Sequence, residues 1–257
     1  MHQSVNAVSS HLLSHSLWTS LAPSLSVAQL DQFDAYIDRL IEISQSINLT
    51  RITDPTDARI KHVADALTLL PMLLAPLPTG EGRGGEGLGE GALVTQTPPT
   101  LRSPLAPTRS RRDRAQFITL ADVGTGGGIP GVILAIARPD IQVTLIDSTR
   151  KKLDAVKTIC DAIGITNVRT LHTRMENVSE RFDVITARAV TDLETLLGWC
   201  GAMMKPKSVL LAMKGPRAVE EIKALSPRTR KVWGVKCVET NVPELPGHAT
   251  VMCRLKK

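Results

Sequence analysis

Between residues 24 and 75 the apolar positions repeat at helical spacing. Leu30, Phe33, Ile37, Leu40 and Ile41 fall three and four apart, which predicts an amphipathic helix. Ser26 followed by Gln29 reads as a capping box at its start. A second helical stretch is expected from Asp57 to Leu70, with Ile60, Val63, Ala64 and Leu67 on one face. The segment between them, residues 47–55, carries the Asn, Thr, Asp and Pro that suit a turn and a helix start.

From Phe117 the period changes. Apolar, β-rich runs recur at 117–123, 141–147, 167–172, 182–187 and 207–213, separated by helical segments that shorten after the third run. This alternation predicts βαβ units, a mostly parallel sheet and a Rossmann-like α/β fold. Two further strands, near 231–239 and 248–256, are joined through Pro243, Pro246 and Gly247 with no helix between, so the C-terminal edge is expected to be antiparallel.

Residues 76–116 fit neither pattern. They hold seven Gly and six Pro, repeat Gly-Glu-Gly three times and end in Arg111-Arg112-Asp113-Arg114. Such a segment has too little apolar surface for a core and reads as a disordered, solvated insertion. The expected organisation is therefore a flexible N-terminus (1–23), a helical region (24–75), the insertion (76–116) and a catalytic α/β domain (117–257).

Hydrophobic residues make up 42% of the 257, an ordinary globular share, and the net charge of +6 favours acidic partners such as nucleic acid. Cys160, Cys200, Cys237 and Cys253 form no C-x-x-C pair, which points to reduced thiols and no zinc site. The first 38 residues lack Lys and Arg, so neither a secretory signal nor an Arg-rich transit peptide is expected. No apolar run approaches the roughly 20 residues that span a bilayer. A soluble, cytoplasmic protein is expected.

The chemistry concentrates after the first α/β strand, in Asp122-Val123-Gly124-Thr125-Gly126-Gly127-Gly128-Ile129-Pro130-Gly131. Glycines there allow a sharp reversal and a ligand approaching the backbone, and Pro130 suits a first helical turn. Gly124, Gly126 and Gly128 give G-x-G-x-G, a spacing used for S-adenosyl-L-methionine, whereas the dinucleotide G-x-G-x-x-G fits only from Gly126. No P-loop Gly-Lys-Ser/Thr is present. Asp147 ends the second strand, where a carboxylate can accept from ribose hydroxyls or cap the following helix, a task that Ser148 can also take. Arg174, Met175 and Glu176 follow the third strand, Arg188 the fourth and Lys214 the fifth. Arg188 and Lys214 face the crevice beyond the strand ends, where a cation can hold a carboxylate or a phosphate or stay solvated. Residues 174–176 read either as ordinary loop or as backbone contacts to an adenine edge with Met175 on its face. His62 and Asp65 either bring the helical part to RNA or form a helix-surface pair.

These segments resemble the bacterial small-subunit (16S) rRNA methyltransferase G family, also called the glucose-inhibited division protein B family. The likeness covers about residues 28–75 and 117–240. It is carried by Ile47-Asn48-Leu49-Thr50, Lys61-His62 with Asp65, the glycine turn continuing into Ile129-Pro130-Gly131, Leu145-Ile146-Asp147-Ser148, Arg174 with Glu176, Ala187-Arg188-Ala189 and Lys214-Gly215. The insertion is foreign to the family pattern, polar Ser44-Gln45-Ser46 stands where an aromatic is frequent, and Gly247 replaces an Arg before His248.

The resemblance implies a class I methyltransferase fold behind a small helical region, and methyl transfer from S-adenosyl-L-methionine to N7 of a guanine in the decoding region. It places cofactor contacts on Gly124, Ile129, Met175, Glu176 and Arg188, with Asp147 at the ribose, and Gly126 of the G-x-G-x-G turn is expected to join them. Arg188 and Lys214 are the expected cofactor-carboxylate and RNA contacts at the reacting centre. The expected partner is the small ribosomal subunit or its RNA, bound by a monomer with no metal and no membrane. The alternatives are methyl transfer to another RNA or non-RNA substrate, a nicotinamide-dependent oxidoreductase, and a non-catalytic ribosome-binding protein.

Overall fold

The computed structural model of the chain describes residues 14–74, 117–240 and 242–256. The expected insertion lies outside the described residues. Seven strands, β1 (Thr119–Val123), β2 (Gln142–Asp147), β3 (Val168–His172), β4 (Phe182–Arg188), β5 (Met204–Lys214), β6 (Trp233–Glu239) and β7 (Ala249–Leu255), form one sheet in the order β3-β2-β1-β4-β5-β7-β6. The first five are parallel, and β7 runs antiparallel between β5 and β6. The parallel runs and the antiparallel edge are thus as the spacing predicts.

The topology has a functional consequence. The chain steps outward from β1 to β2 and β3, then returns to place β4 on the other side of β1. That reversal leaves a crevice outside the carboxyl ends of β1 and β4. Every strand-end residue singled out above emerges on this edge.

The helices in chain order are α1 (14–21), α2 (Val27–Ser44), α3 (Pro55–Ala58), α4 (Asp65–Leu67), α5 (Leu70–Leu74), α6 (Gly131–Ala137), α7 (Arg150–Ala162), α8 (Leu193–Cys200), α9 (Ala218–Ala224) and α10 (Pro227–Val232). Strand alternation sorts the core into two layers. Leu120, Val143, Leu145, Val209 and Leu211 face α6, α7 and the N-terminal helices, while Ala121, Val123, Ile146, Leu210 and Ala212 face the side covered by α8 and α9.

One expectation changes at the N-terminus. Residues 14–21 are helical rather than flexible, and Trp18 is fully buried, edge-on to Phe33 with ring centroids 5.5 Å apart. The helical region packs into the α/β part: Phe33, Tyr36, Leu40, Val63 and Leu67 share one cluster with Val132, Leu145 and Val156. The capping box forms as expected, and the Gln29 side chain also donates to Ile136 O at 2.7 Å, fixing α2 to the end of α6.

The second helical stretch is not one amphipathic helix. A π-helical segment, Arg59–Ala64, interrupts it between α3 and α4. The wider turn spoils the simple 3.6 spacing. Ile60 is only half-buried, whereas Arg59, His62 and Asp65 are buried beside Val63, Ala64 and Leu67.

Candidate active site

Asp122, at the end of β1, organises the glycine turn. Its fully buried carboxylate accepts from Thr125 Oγ1 (2.5 Å) and Gly131 N (3.1 Å) through one oxygen and from Thr186 Oγ1 (2.9 Å) through the other. The three bonds tie β1, β4, the turn and the start of α6 into one unit. Burial pushes the Asp122 carboxyl up to about 6 even though these hydrogen bonds pull it down. Pro130 follows a cis bond and stands at the N-cap of α6, one place before the helical turn expected for it.

Gly124, Gly126 and Gly128 all have positive φ, the region an L side chain resists. Their surroundings differ. A Cβ on Gly124 would lie 2.7 Å from Val190, and one on Gly128 would lie 2.3 Å from the Tyr36 hydroxyl, whereas one on Gly126 would make only an ordinary 3.9 Å contact with Gly124 O. Tyr36 donates from its buried hydroxyl to Gly127 O at 2.6 Å. Helix α2 therefore supports the turn from behind.

Two cavities open at the strand ends. The smaller, of about 320 Å³, is lined by Gly124, Asp147, Met175, Glu176, Val190 and Trp199 among others. The larger, of about 770 Å³, is lined by Asp65, Arg188, Val190, Lys214, Arg217 and His248 among others. Val190 borders both.

The expected site residues divide accordingly. Gly124, Asp147, Met175 and Glu176 meet in the smaller cavity. Gly126 lines neither, but its N–H donates to Asp147 Oδ2 at 3.0 Å. The other Asp147 oxygen accepts from Thr149 N at 2.8 Å, so the carboxylate also secures the turn before α7. Thr149, not Ser148, is the N-cap residue of that helix. A carboxylate offers about four lone-pair positions, so these two bonds leave acceptor capacity. Ile129 has its side chain in the core, away from both cavities.

Arg188 and Lys214 both line the larger cavity, but in different states. Lys214 Nζ donates to Thr191 O and to Glu221 Oε2, each at 2.7 Å, and the same Glu221 oxygen accepts from Leu193 N. It thus holds the loop between β4 and α8. Arg188 Nη1 donates to His62 Nδ1 at 3.1 Å, and its Nε lies 3.7 Å from Asp65. The Asp65 carboxylate also meets His248 Nδ1 at 3.2 Å. His62 and Asp65 are therefore buried and not a helix-surface pair. They face Arg188 from the end of the π-helical segment and the first residue of α4.

Tyr36, Asp122, Val190 and Trp199 carry no sequence signal of their own at this site. Tyr36 sits at a core spacing of α2, and Asp122 reads only as part of the glycine motif. Among the described residues, no group of three or more His, Cys, Asp or Glu is placed to hold a metal, and no helix is long and apolar enough to cross a membrane. Cys160, Cys200 and Cys253 are buried, which pushes each thiol up to about 12.

Comparison with known proteins bears on this arrangement. A family model described as rRNA small subunit methyltransferase G matches residues 106–246. A protein of Lactobacillus delbrueckii subsp. bulgaricus named ribosomal RNA small subunit methyltransferase G is 34% identical over 233 residues, covering 88% of this chain and 82% of that one. A protein of the same name from Sorangium cellulosum is 34% identical over 208 residues, covering 79% and 71%. Among solved structures, a ribosomal protein L11 methylase from Lactobacillus delbrueckii subsp. bulgaricus superimposes with a TM-score of 0.44 at 16% identity, over 57% of this chain and 74% of that one. With a family model matching more than half of its residues and relatives this similar across most of their length, the chain belongs to the rRNA small subunit methyltransferase G family.

Proposed function

We propose that this protein transfers a methyl group from S-adenosyl-L-methionine to N7 of a guanine in the decoding region of small-subunit rRNA. The observation that carries the reading is the pair of cavities at the switch point. Acceptor and apolar groups suited to an adenosyl moiety lie in one, and a guanidinium lies in the other.

The smaller cavity fits the cofactor in donor chemistry. Gly124 keeps a Cβ out of a space that Val190 already fills, Asp147 has acceptor positions left for a vicinal diol, and Met175 offers a polarisable face to an adenine. When bound, the cofactor supplies a methyl group already activated by its sulfonium. Guanine N7 carries a lone pair at neutral pH, so the protein has no proton to remove. Its contribution is orientation, a term that can reach roughly 7–11 kcal/mol. Arg188, two residues before the shared Val190, is suited to hold the cofactor carboxylate or a group of the RNA. Gly126 and Ile129 support the turn through Asp147 and the core rather than by lining a cavity. In this reading the protein acts in the cytoplasm as a monomer on the small ribosomal subunit.

The test supplies labelled S-adenosyl-L-methionine to small ribosomal subunits from cells lacking the modification, and maps N7-methylguanine by chemical strand cleavage. One cleaved position in the decoding region, lost in Arg188→Ala, is expected. Cofactor binding without RNA labelling would overturn the substrate. No cofactor binding at all would overturn the reading as a whole.

A further inference from the structure

The donor-only chemistry of a guanidinium fixes the tautomer of its neighbour. Arg188 has only donors, so the His62 Nδ1 it meets at 3.1 Å must accept. The imidazole proton then sits on Nε2, which faces Thr50 Oγ1 at 2.8 Å and donates to it. Thr50 Oγ1 also accepts from Ile52 N at 3.1 Å, so the hydroxyl is itself held in place by the turn after α2. The three residues form a directional chain from Arg188 through His62 to Thr50. Burial together with the Arg188 charge lowers the His62 pKa to about 3, in keeping with a neutral ring.

The groups facing Arg188 account for part of its donor set. Asp65 lies beside Nε, His62 takes one Nη1 proton, and Arg188 lines the 770 Å³ cavity. Arg188 is thus held from behind by two side chains of one helical stretch. The π-helical turn brings this about: it leaves both His62 and Asp65 buried toward β4, while Arg59 on the same segment is anchored to Asp34 and Asp38 at 2.6 and 2.9 Å. A helix with a single apolar face would have left these residues in solvent.

We propose that His62 is a positioning residue for Arg188: its neutral ring, locked by Thr50, fixes the guanidinium in the crevice for the ligand group it binds. The inference rests on Arg188 being a ligand-facing cation. It gives the N-terminal helices a part in the reaction besides packing.

The test exploits the difference between the two ring nitrogens. In His62→Asn the side-chain amide oxygen can stand where Nδ1 stands and still accept from Arg188. In His62→Gln the amide reaches further, toward Thr50, and in His62→Leu nothing accepts. Two quantities are measured: kcat and KM for methylation of small ribosomal subunits, and calorimetric Kd for S-adenosyl-L-methionine alone. Thermal melting checks the fold of each variant. His62→Leu and His62→Gln are expected to lose about 100-fold in kcat/KM or in cofactor affinity, and His62→Asn to stay within about tenfold of wild type. In an Arg188→Ala background, where methylation is lost, the effect of His62→Leu on the calorimetric Kd is expected to vanish, because the two act as one unit.

Equal losses for Asn, Gln and Leu, or a full His62→Leu loss without Arg188, would make His62 a core side chain and overturn the proposal. So would unchanged kinetics and affinity in His62→Leu. If wild type methylates no small subunit but cofactor affinity still falls with Leu and recovers with Asn, the substrate reading fails and the positioning role stands.

Discussion

Two buried residues near the crevice, Asp122 and His62, show how differently burial acts on single side chains. Asp122 is held up at about 6 and His62 down at about 3, so both favour the neutral form as pH falls below neutrality. Their effects on stability have opposite signs. His62 binds a proton in the unfolded chain below its ordinary 6.5 but not in the fold, so stability is lost as pH drops from 6.5 toward 3. Asp122 takes up its proton earlier in the fold than in the unfolded chain, so its contribution is lost as pH rises from 3.8 through about 6. The charges of Arg188 and Lys61 oppose its protonation, a hydrogen bond with the Lys61 backbone favours it, and the neutral Thr50 hydroxyl faces Nε2. Denaturant titrations at pH 7 and pH 5 are expected to show that His62→Asn escapes a loss of about 2 kcal/mol that wild type suffers on acidification. Equal acid sensitivity in the two proteins would contradict a neutral, buried ring. The glycines make a second case. Gly126→Ala should cost about 1–2 kcal/mol for its left-handed backbone alone. Gly128→Ala should cost clearly more, because its Cβ would meet the Tyr36 hydroxyl at 2.3 Å. Melting temperatures of the two variants give the comparison.

At the scale of elements, the glycine turn is a surface shared by β1, α6 and α2 rather than a loop. Tyr36→Phe removes the donor to Gly127 O and leaves a buried carbonyl unpaired, a change worth about 1–3 kcal/mol. Since that carbonyl belongs to the turn, cofactor affinity is expected to fall along with stability, which calorimetry and melting read separately. Lys214 also belongs to this scale. Its bonds to Thr191 O and Glu221 clamp the loop between β4 and α8, beside both cavities. Lys214→Met is therefore expected to lower the melting temperature together with activity. A loss of RNA affinity with unchanged melting would return Lys214 to a direct contact with the RNA.

For the whole molecule, the shared core matters most. Trp18, Phe33 and Leu67 pack in the same cluster as Val132 and Val156, so the N-terminal helices cover one face of the sheet's helical layer. A fragment beginning at residue 117 would expose that face, and it is expected to lack a cooperative melting transition that the full chain shows. A sharp transition for the fragment would show that the α/β part folds alone. The net charge of +6 acts at this scale too. Binding to the small subunit should weaken as salt rises, because phosphate contacts release counterions.

What the sequence by itself determined is periodic or motif-bound. Strands β1 to β7, the capping box of α2 and the glycine turn each follow from spacing and local backbone demands, which act between near neighbours. The family is legible for the same reason, since its motifs are short runs such as Ile47-Asn48-Leu49-Thr50 and the turn ending in Pro130-Gly131. The fold alone decided which distant runs meet. His62 and Arg188, 126 positions apart, touch only because a π-helical turn and the return of β4 beside β1 bring them together. Periodicity could not place His62 inside, because a π turn breaks the very spacing from which an inward face is read. Nor could it distinguish Lys214 from Arg188, two cations at strand ends. One is spent on Glu221 and a backbone carbonyl, and the other is held by a neutral histidine at the crevice, a difference set by long-range packing.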